Sequence, residues 1–111
     1  MPLLQIDHLE HRVVHAQHHE SLGPVELAVL DKLLRYPEEV MSREELKAAA
    51  PVDLARFTDR KLDATLNKIS KATLALWPAF PLVRFVYPDG YVYTETPPKR
   101  EAERVEDAER Q

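Results

Sequence analysis

Thr58-Asp59-Arg60-Lys61-Leu62-Asp63-Ala64-Thr65-Leu66-Asn67-Lys68-Ile69-Ser70-Lys71-Ala72-Thr73-Leu74-Ala75-Leu76 reads as a single helix. Thr58 is a suitable N-cap, since its hydroxyl can take an amide that the first turn leaves unpaired. Leu62, Leu66, Ile69, Thr73 and Leu76 step by four and three, which predicts one buried stripe. The opposite face carries Arg60, Ala64, Asn67, Lys68 and Lys71, so the basic residues point away from the core.

Upstream, Ser42-Arg43-Glu44-Glu45 is a capping box, with serine reaching forward to the third amide and glutamate reaching back. It starts a short helix expected to run to about Ala50, where Pro51 ends it. A polar link then runs from Pro51 to Thr58. Before these, Gly23-Pro24 opens a helix with Leu27, Leu30, Leu33 and Leu34 at helical spacing, and Tyr36-Pro37 closes it. Leu3-Leu4-Gln5-Ile6 and Arg12-Val13-Val14-His15 read as two short strands. Downstream of Trp77-Pro78 the period changes: Leu82 to Tyr87 and Tyr91 to Thr94 are rich in strand formers. Pro88-Asp89-Gly90 between them predicts a tight hairpin in which glycine takes the positive φ of a bulge. Alternation puts Phe85 and Tyr87 on one face of the first strand, and most of the aromatics around the hairpin are expected in the core.

The resulting fold class is α+β: short N-terminal antiparallel strands, three helices and a C-terminal β-hairpin wing, the element order of a winged helix-turn-helix. Residues 1–98 are expected to form this domain. Residues 99–111 are almost without apolar content and are expected to be a charged flexible tail.

Composition narrows the function classes. With 111 residues and 44% hydrophobic positions, the chain supports one compact core. It has no cysteine, so packing must supply the stability. No secretory signal is legible and no apolar run approaches the roughly 18 residues of a membrane span, so a cytoplasmic protein with no membrane partner is expected. Net charge is −4 but unevenly placed. Residues 1–55 hold five Lys/Arg against ten Asp/Glu, whereas residues 56–71 hold five basic (Arg56, Arg60, Lys61, Lys68, Lys71) against two acidic (Asp59, Asp63). Either an ordinary solvated face or an anion-binding face accounts for this local excess.

Catalytic constellations are missing. Two glycines leave no phosphate-cradling loop, and no serine stands in a nucleophile elbow. Neither an enzyme nor a cofactor is expected. Glu38-Glu39 and Glu44-Glu45 fit helix starts, where acids meet the positive end of the dipole. His8, His11, His15, His18 and His19 crowd into a dozen positions, but the adjacent Val13-Val14 suggests strand and no carboxylate completes a metal-ligand spacing. They are read as polar surface residues, with no metal site.

The sequence resembles the DNA-binding effector domain of OmpR/PhoB-type response regulators over about residues 3–95. The resemblance is carried by Leu22-Gly23-Pro24-Val25-Glu26 at the first helix and Val40-Met41-Ser42-Arg43-Glu44-Glu45-Leu46 at the second. It continues through Arg60 to Ile69 at the recognition helix, then Val83-Arg84-Phe85-Val86 and Gly90-Tyr91-Val92-Tyr93 at the wing. It implies an N-terminal antiparallel sheet and duplex DNA as partner, with the third helix in the major groove and the hairpin alongside. The candidate contacts are Arg60, Lys61, Ala64, Asn67, Lys68, Lys71 and Arg84, with Tyr87, Pro88, Asp89 and Gly90 at the wing tip. Arginine can bridge guanine, asparagine can bridge adenine, and lysine neutralises phosphate. For Arg84 a phosphate contact and a surface ion pair remain equal alternatives. The sequence departs from that family at Ser70 and Ala72, where basic residues are common, and at Tyr87-Pro88, which replace the usual arginine-glycine. No phosphoacceptor domain precedes the first strand, so a stand-alone domain is expected, acting as a homodimer or as adjacent copies on repeated half-sites. The alternative is a protein-interaction module that docks on RNA polymerase or another transcription protein, with Tyr87 as an exposed anchor and the 51–58 link as a second contact.

Overall fold

The computed structural model describes residues 3–98. The chain opens with a three-stranded antiparallel sheet, β1 (Gln5–Asp7), β2 (Arg12–His15) and β3 (His18–Ser21), in the order β1-β2-β3. The helices α1 (Pro24–Arg35), α2 (Arg43–Ala49) and α3 (Asp59–Leu76) follow, with β4 (Met41–Ser42) leading into α2. The hairpin β5 (Val83–Val86) and β6 (Gly90–Tyr93) closes the fold, and β6 lies between β5 and β4 in a second antiparallel sheet. The expected tail, residues 99–111, lies outside the described residues.

The helix starts follow the local chemistry read from the sequence. In α1, the Gly23 amide donates to Glu26 Oε1 at 3.2 Å. At α2 both halves of the capping box form: the Glu45 amide donates to Ser42 Oγ at 3.2 Å and the Ser42 amide to Glu45 Oε2 at 3.4 Å. At α3 the Lys61 amide donates to Thr58 Oγ1 at 3.2 Å. Leu62, Leu66, Ile69, Thr73 and Leu76 are all buried, as the stripe predicts. Leu62, Leu66, Ile69 and Leu76 meet Leu27, Leu30 and Leu33 of α1, Leu46 of α2, Leu4 just before β1, Val13 of β2, Leu82 just before β5 and Tyr93 of β6 in one core.

Four features differ from expectation. His18–Ser21 forms a third strand, pairing His15 with His18 and Arg12 with Ser21. Its polar sequence carries no alternation to reveal it, and the positive φ of Ala16 makes the reversal. Met41–Ser42 is a two-residue strand against Tyr91 and Gly90, which no local pattern could disclose. The 51–58 link is not uniformly polar in role: Phe57 is buried and anchors it, while the Asp53 carbonyl accepts from the amides of Arg56 and Phe57.

The hairpin supplies the fourth difference. Gly90 has no positive φ; it is the first residue of β6 and is buried against β4. Space, not conformation, demands glycine there. Nor are Phe85 and Tyr87 core residues, being 48% and 86% exposed. The alternation itself holds, since Val83 pairs with Tyr93 and both are buried, while Phe85 pairs with Tyr91 two positions on. Exposure on that face rises from Val83 through Phe85 to Tyr87, toward the tip.

Candidate nucleic-acid interface

The N-cap at Thr58 and the buried leucine stripe fix the rotation of α3, and that rotation leaves Arg60, Lys61, Ala64, Asn67, Lys68 and Lys71 exposed. Arg56, at the end of the preceding link, is exposed beside them. None of the five cationic side chains, those of Arg56, Arg60, Lys61, Lys68 and Lys71, makes an ion pair, hydrogen bond or ring contact with any described residue. Every other described lysine and arginine side chain is engaged. Arg12 pairs with Asp7 at 3.2 Å and Arg35 with Asp31 at 2.9 Å. Lys47 joins Glu44 at 3.1 Å and Asp59 at 2.7 Å, and Lys32 lies 4.9 Å from the centre of the Tyr36 ring. Arg56 counts in the basic segment of the sequence but not among the contacts expected from it, although it belongs to the same unpaired set.

The wing is organised differently. Arg84 donates through Nε to the Pro81 carbonyl at 2.9 Å and through Nη2 to the Thr96 carbonyl, and its guanidinium lies 5.6 Å from the Phe80 ring. Its donors therefore serve the base of the hairpin. At the tip, Tyr87, Pro88 and Asp89 are exposed and Gly90 is buried.

Between α3 and the wing sits a charged cluster that sequence reasoning missed. Arg43, the first residue of α2, grips Asp63 of α3 with two bonds, Nε to Oδ1 and Nη2 to Oδ2, each 3.2 Å. Its Nη1 donates to Asp89 at the wing tip, and its backbone amide donates to the Asp89 carbonyl at 3.3 Å. Tyr91 donates its hydroxyl to Asp63 Oδ1 at 2.8 Å. The guanidinium also stacks near Phe85 and Tyr91, at 5.3 and 5.8 Å from the ring centres. Burial alone would raise the Asp63 carboxyl, but Arg43 and Tyr91 outweigh it and hold it below the ordinary 3.8. Burial and the Asp63 carboxylate push the Tyr91 hydroxyl up to about 12. Two carboxylates around one guanidinium break the run of positive charge between α3 and the hairpin, so the unpaired cations are confined to α3 and its approach.

The departures from the resembled family also gain a reason. Ala72 is buried, so that position cannot carry a solvated charge, whereas Ser70 is half-buried. Among the histidines, His8, His11, His18 and His19 are exposed. His15 corrects the surface reading. Its Nδ1 donates to the Leu3 carbonyl at 2.9 Å, which fixes the proton on that nitrogen, and its ring stands edge-on to Trp77 with centres 5.4 Å apart. Among the described residues no three His, Asp or Glu side chains converge as a metal site. No helix of the described residues is long and apolar enough to cross a membrane.

No protein-family model and no curated protein matches the chain. Solved structures do. The AdeR response-regulator DNA-binding domain, in complex with an intercistronic region, superposes with a TM-score of 0.72 at 21% identity, covering 86% of this chain and 98% of that one. The DNA-binding domain of Klebsiella pneumoniae RstA, in complex with the RstA box, gives 0.66 at 19% identity over 84% and 92%. The C-terminal domain of the nisin resistance regulator NsrR gives 0.68 at 19% identity over 86% and 96%. The chain has the winged-helix fold of these response-regulator domains.

Proposed function

We propose that this chain is a DNA-binding transcription regulator that reads duplex DNA with α3 in the major groove. The observation that carries the reading is the set of five unpaired, exposed cations on α3 and its approach, in a protein that neutralises or engages every other described lysine and arginine side chain. Exposed cations without a protein partner are available to phosphate, whose neutralisation uses them directly. Arg60 and Asn67 supply the donors suited to base edges; Lys61, Lys68 and Lys71 serve phosphate, and Ala64 leaves room for close approach. Two solved domains of this fold, those of AdeR and RstA, are in complex with DNA, which supports duplex DNA as the partner. A cytoplasmic, non-enzymatic protein acting as a homodimer, or as adjacent copies on repeated half-sites, follows from the same reading.

The wing plays a smaller part here than α3. Arg84 is spent on carbonyl groups and Asp89 on Arg43, so Tyr87 and Pro88 meet the DNA backbone by shape and not by charge. That same tip favours a second reading, docking on RNA polymerase or another transcription protein, because Tyr87 and Val40 present apolar surface, 86% and 53% exposed, around a groove also lined by Val86 and Pro88.

Selection from a random duplex pool, followed by a salt titration of the winning sequence, tests the DNA reading. Charge reversal of Lys68 and Lys71 should weaken binding to all sequences and flatten the salt dependence, by about 0.9 of a slope unit for each phosphate left without its lysine. Arg60→Ala or Asn67→Ala should instead relax preference at particular base pairs, by about 1–3 kcal/mol each. No enriched sequence, together with binding to bulk DNA weaker than about 10⁻⁴ M at physiological salt, would transfer the weight to the protein-docking reading.

A further inference from the structure

Alongside α3 lies a cavity of about 570 Å³, bounded by the start of α1, the 51–58 link and α3 itself. Its volume falls within the roughly 300–1,000 Å³ of small-molecule sites. Val25, Val52, Phe57 and Ala64 form its apolar walls, and Arg56, Lys61 and Lys68 bring three unpaired cations to it. Two acids also line it, Glu26 and Asp53, each held by a backbone amide, Glu26 by that of Gly23 and Asp53 Oδ1 by that of Ala55 at 3.0 Å, so three cations face two carboxylates and the lining carries one net positive charge. The Thr65 hydroxyl donates to the Lys61 carbonyl at 2.9 Å. A neutral apolar guest would crowd three cations against a poorly solvating surface, and a cationic guest would add to the excess of positive charge. An anion with an apolar body satisfies both halves of the lining.

We propose that this cavity binds a small amphipathic organic anion, of the aromatic carboxylate class. Its ring lies between Val25, Val52, Phe57 and Ala64, and its carboxylate meets Lys61 and Lys68 with Arg56 at the rim. Occupancy takes Lys61 and Lys68 away from phosphate, so the ligand and DNA compete; this half of the inference rests on the DNA reading.

The test uses the full chain, isotope-labelled for nuclear magnetic resonance, with 2-naphthoate and its uncharged partner 2-naphthamide as probes. Naphthoate should shift the backbone amides of Val52, Phe57, Ala64 and Thr65, and naphthamide should bind about tenfold more weakly, the loss of one charge-assisted hydrogen bond. The Lys61→Gln, Lys68→Gln double variant should lower naphthoate affinity by a similar factor. Ala64→Leu, a change at an exposed position that fills the cavity, should abolish the localised shifts. Equal affinity for the two probes, or shifts scattered over the surface at millimolar naphthoate, would overturn the site. In the second arm, naphthoate should displace a fluorescent duplex where naphthamide does not. Cavity binding without displacement overturns the competition alone, DNA binding without cavity binding overturns the ligand site alone, and cavity binding in a protein with no affinity for DNA overturns the DNA reading alone.

Discussion

A methyl group at position 90 would lie 2.6 Å from Cγ1 of Val40 and 3.0 Å from the carbonyl oxygen of Met41. Gly90 thus sets how closely β6 approaches β4, and through β4 how the wing joins the start of α2. Gly90→Ala should destabilise the fold by about 1–3 kcal/mol, the usual cost of overpacking. Because the nearest clash is with a side-chain methyl, Val40→Ala in the same chain should recover part of that stability, and thermal or denaturant unfolding of the single and double variants measures it. Additive effects would place the strain in the Met41 backbone instead.

At the scale of elements, Arg43 ties α2, α3 and the wing tip into one body through Asp63, Asp89 and the rings of Phe85 and Tyr91. The charges on α3 are therefore presented at a fixed angle to the hairpin. Asp63→Asn should lower stability at neutral pH, and much less so in an Arg43→Met background, since the two side chains act as one unit. Asp63 has a folded pKa below its unfolded value, so its contribution is complete above the ordinary carboxylate value of 3.8 and fades as the pH falls through the lowered folded one. The stability gap between the parent chain and Asp63→Asn should accordingly close in acid; a gap unchanged down to the acid transition would remove Asp63 as its source. Tyr91 runs the other way. Its contribution is complete below the ordinary tyrosine value of 10 and is lost as the pH rises through about 12. An alkaline absorbance titration should show late-ionising tyrosines, one fewer in Tyr91→Phe. Tyr93, pushed up by burial and by the Glu95 carboxylate it donates to, should remain late in that variant.

Over the whole molecule, stability comes from one core shared by the two sheets and three helices. The exposed histidines of the first sheet take no part in it. Dialysis against a chelator should leave the thermal transition where it was, and a large drop restored by zinc would give those histidines a structural role. The acidic body also bears on function: with a net charge of −4, the protein has no general attraction to DNA, so orientation and affinity depend on the cations of α3 and Arg56.

By itself the sequence determined the helices, their caps and the outward face of α3, because a capping box, an N-cap threonine and a leucine stripe act within one or two helical turns. It also placed the hairpin, since strand formers and turn residues are local. Two things depended on tertiary structure. The strands His18–Ser21 and Met41–Ser42 exist through pairing with other strands, their own side chains giving no period. Which charges stay available was likewise decided in space: Arg43 meets Asp63 across 20 positions and Asp89 across 46, whereas the side chains of Arg56, Arg60, Lys61, Lys68 and Lys71 meet no described partner. A charge read along a chain is a count, and only the folded arrangement decides which of those charges are already neutralised.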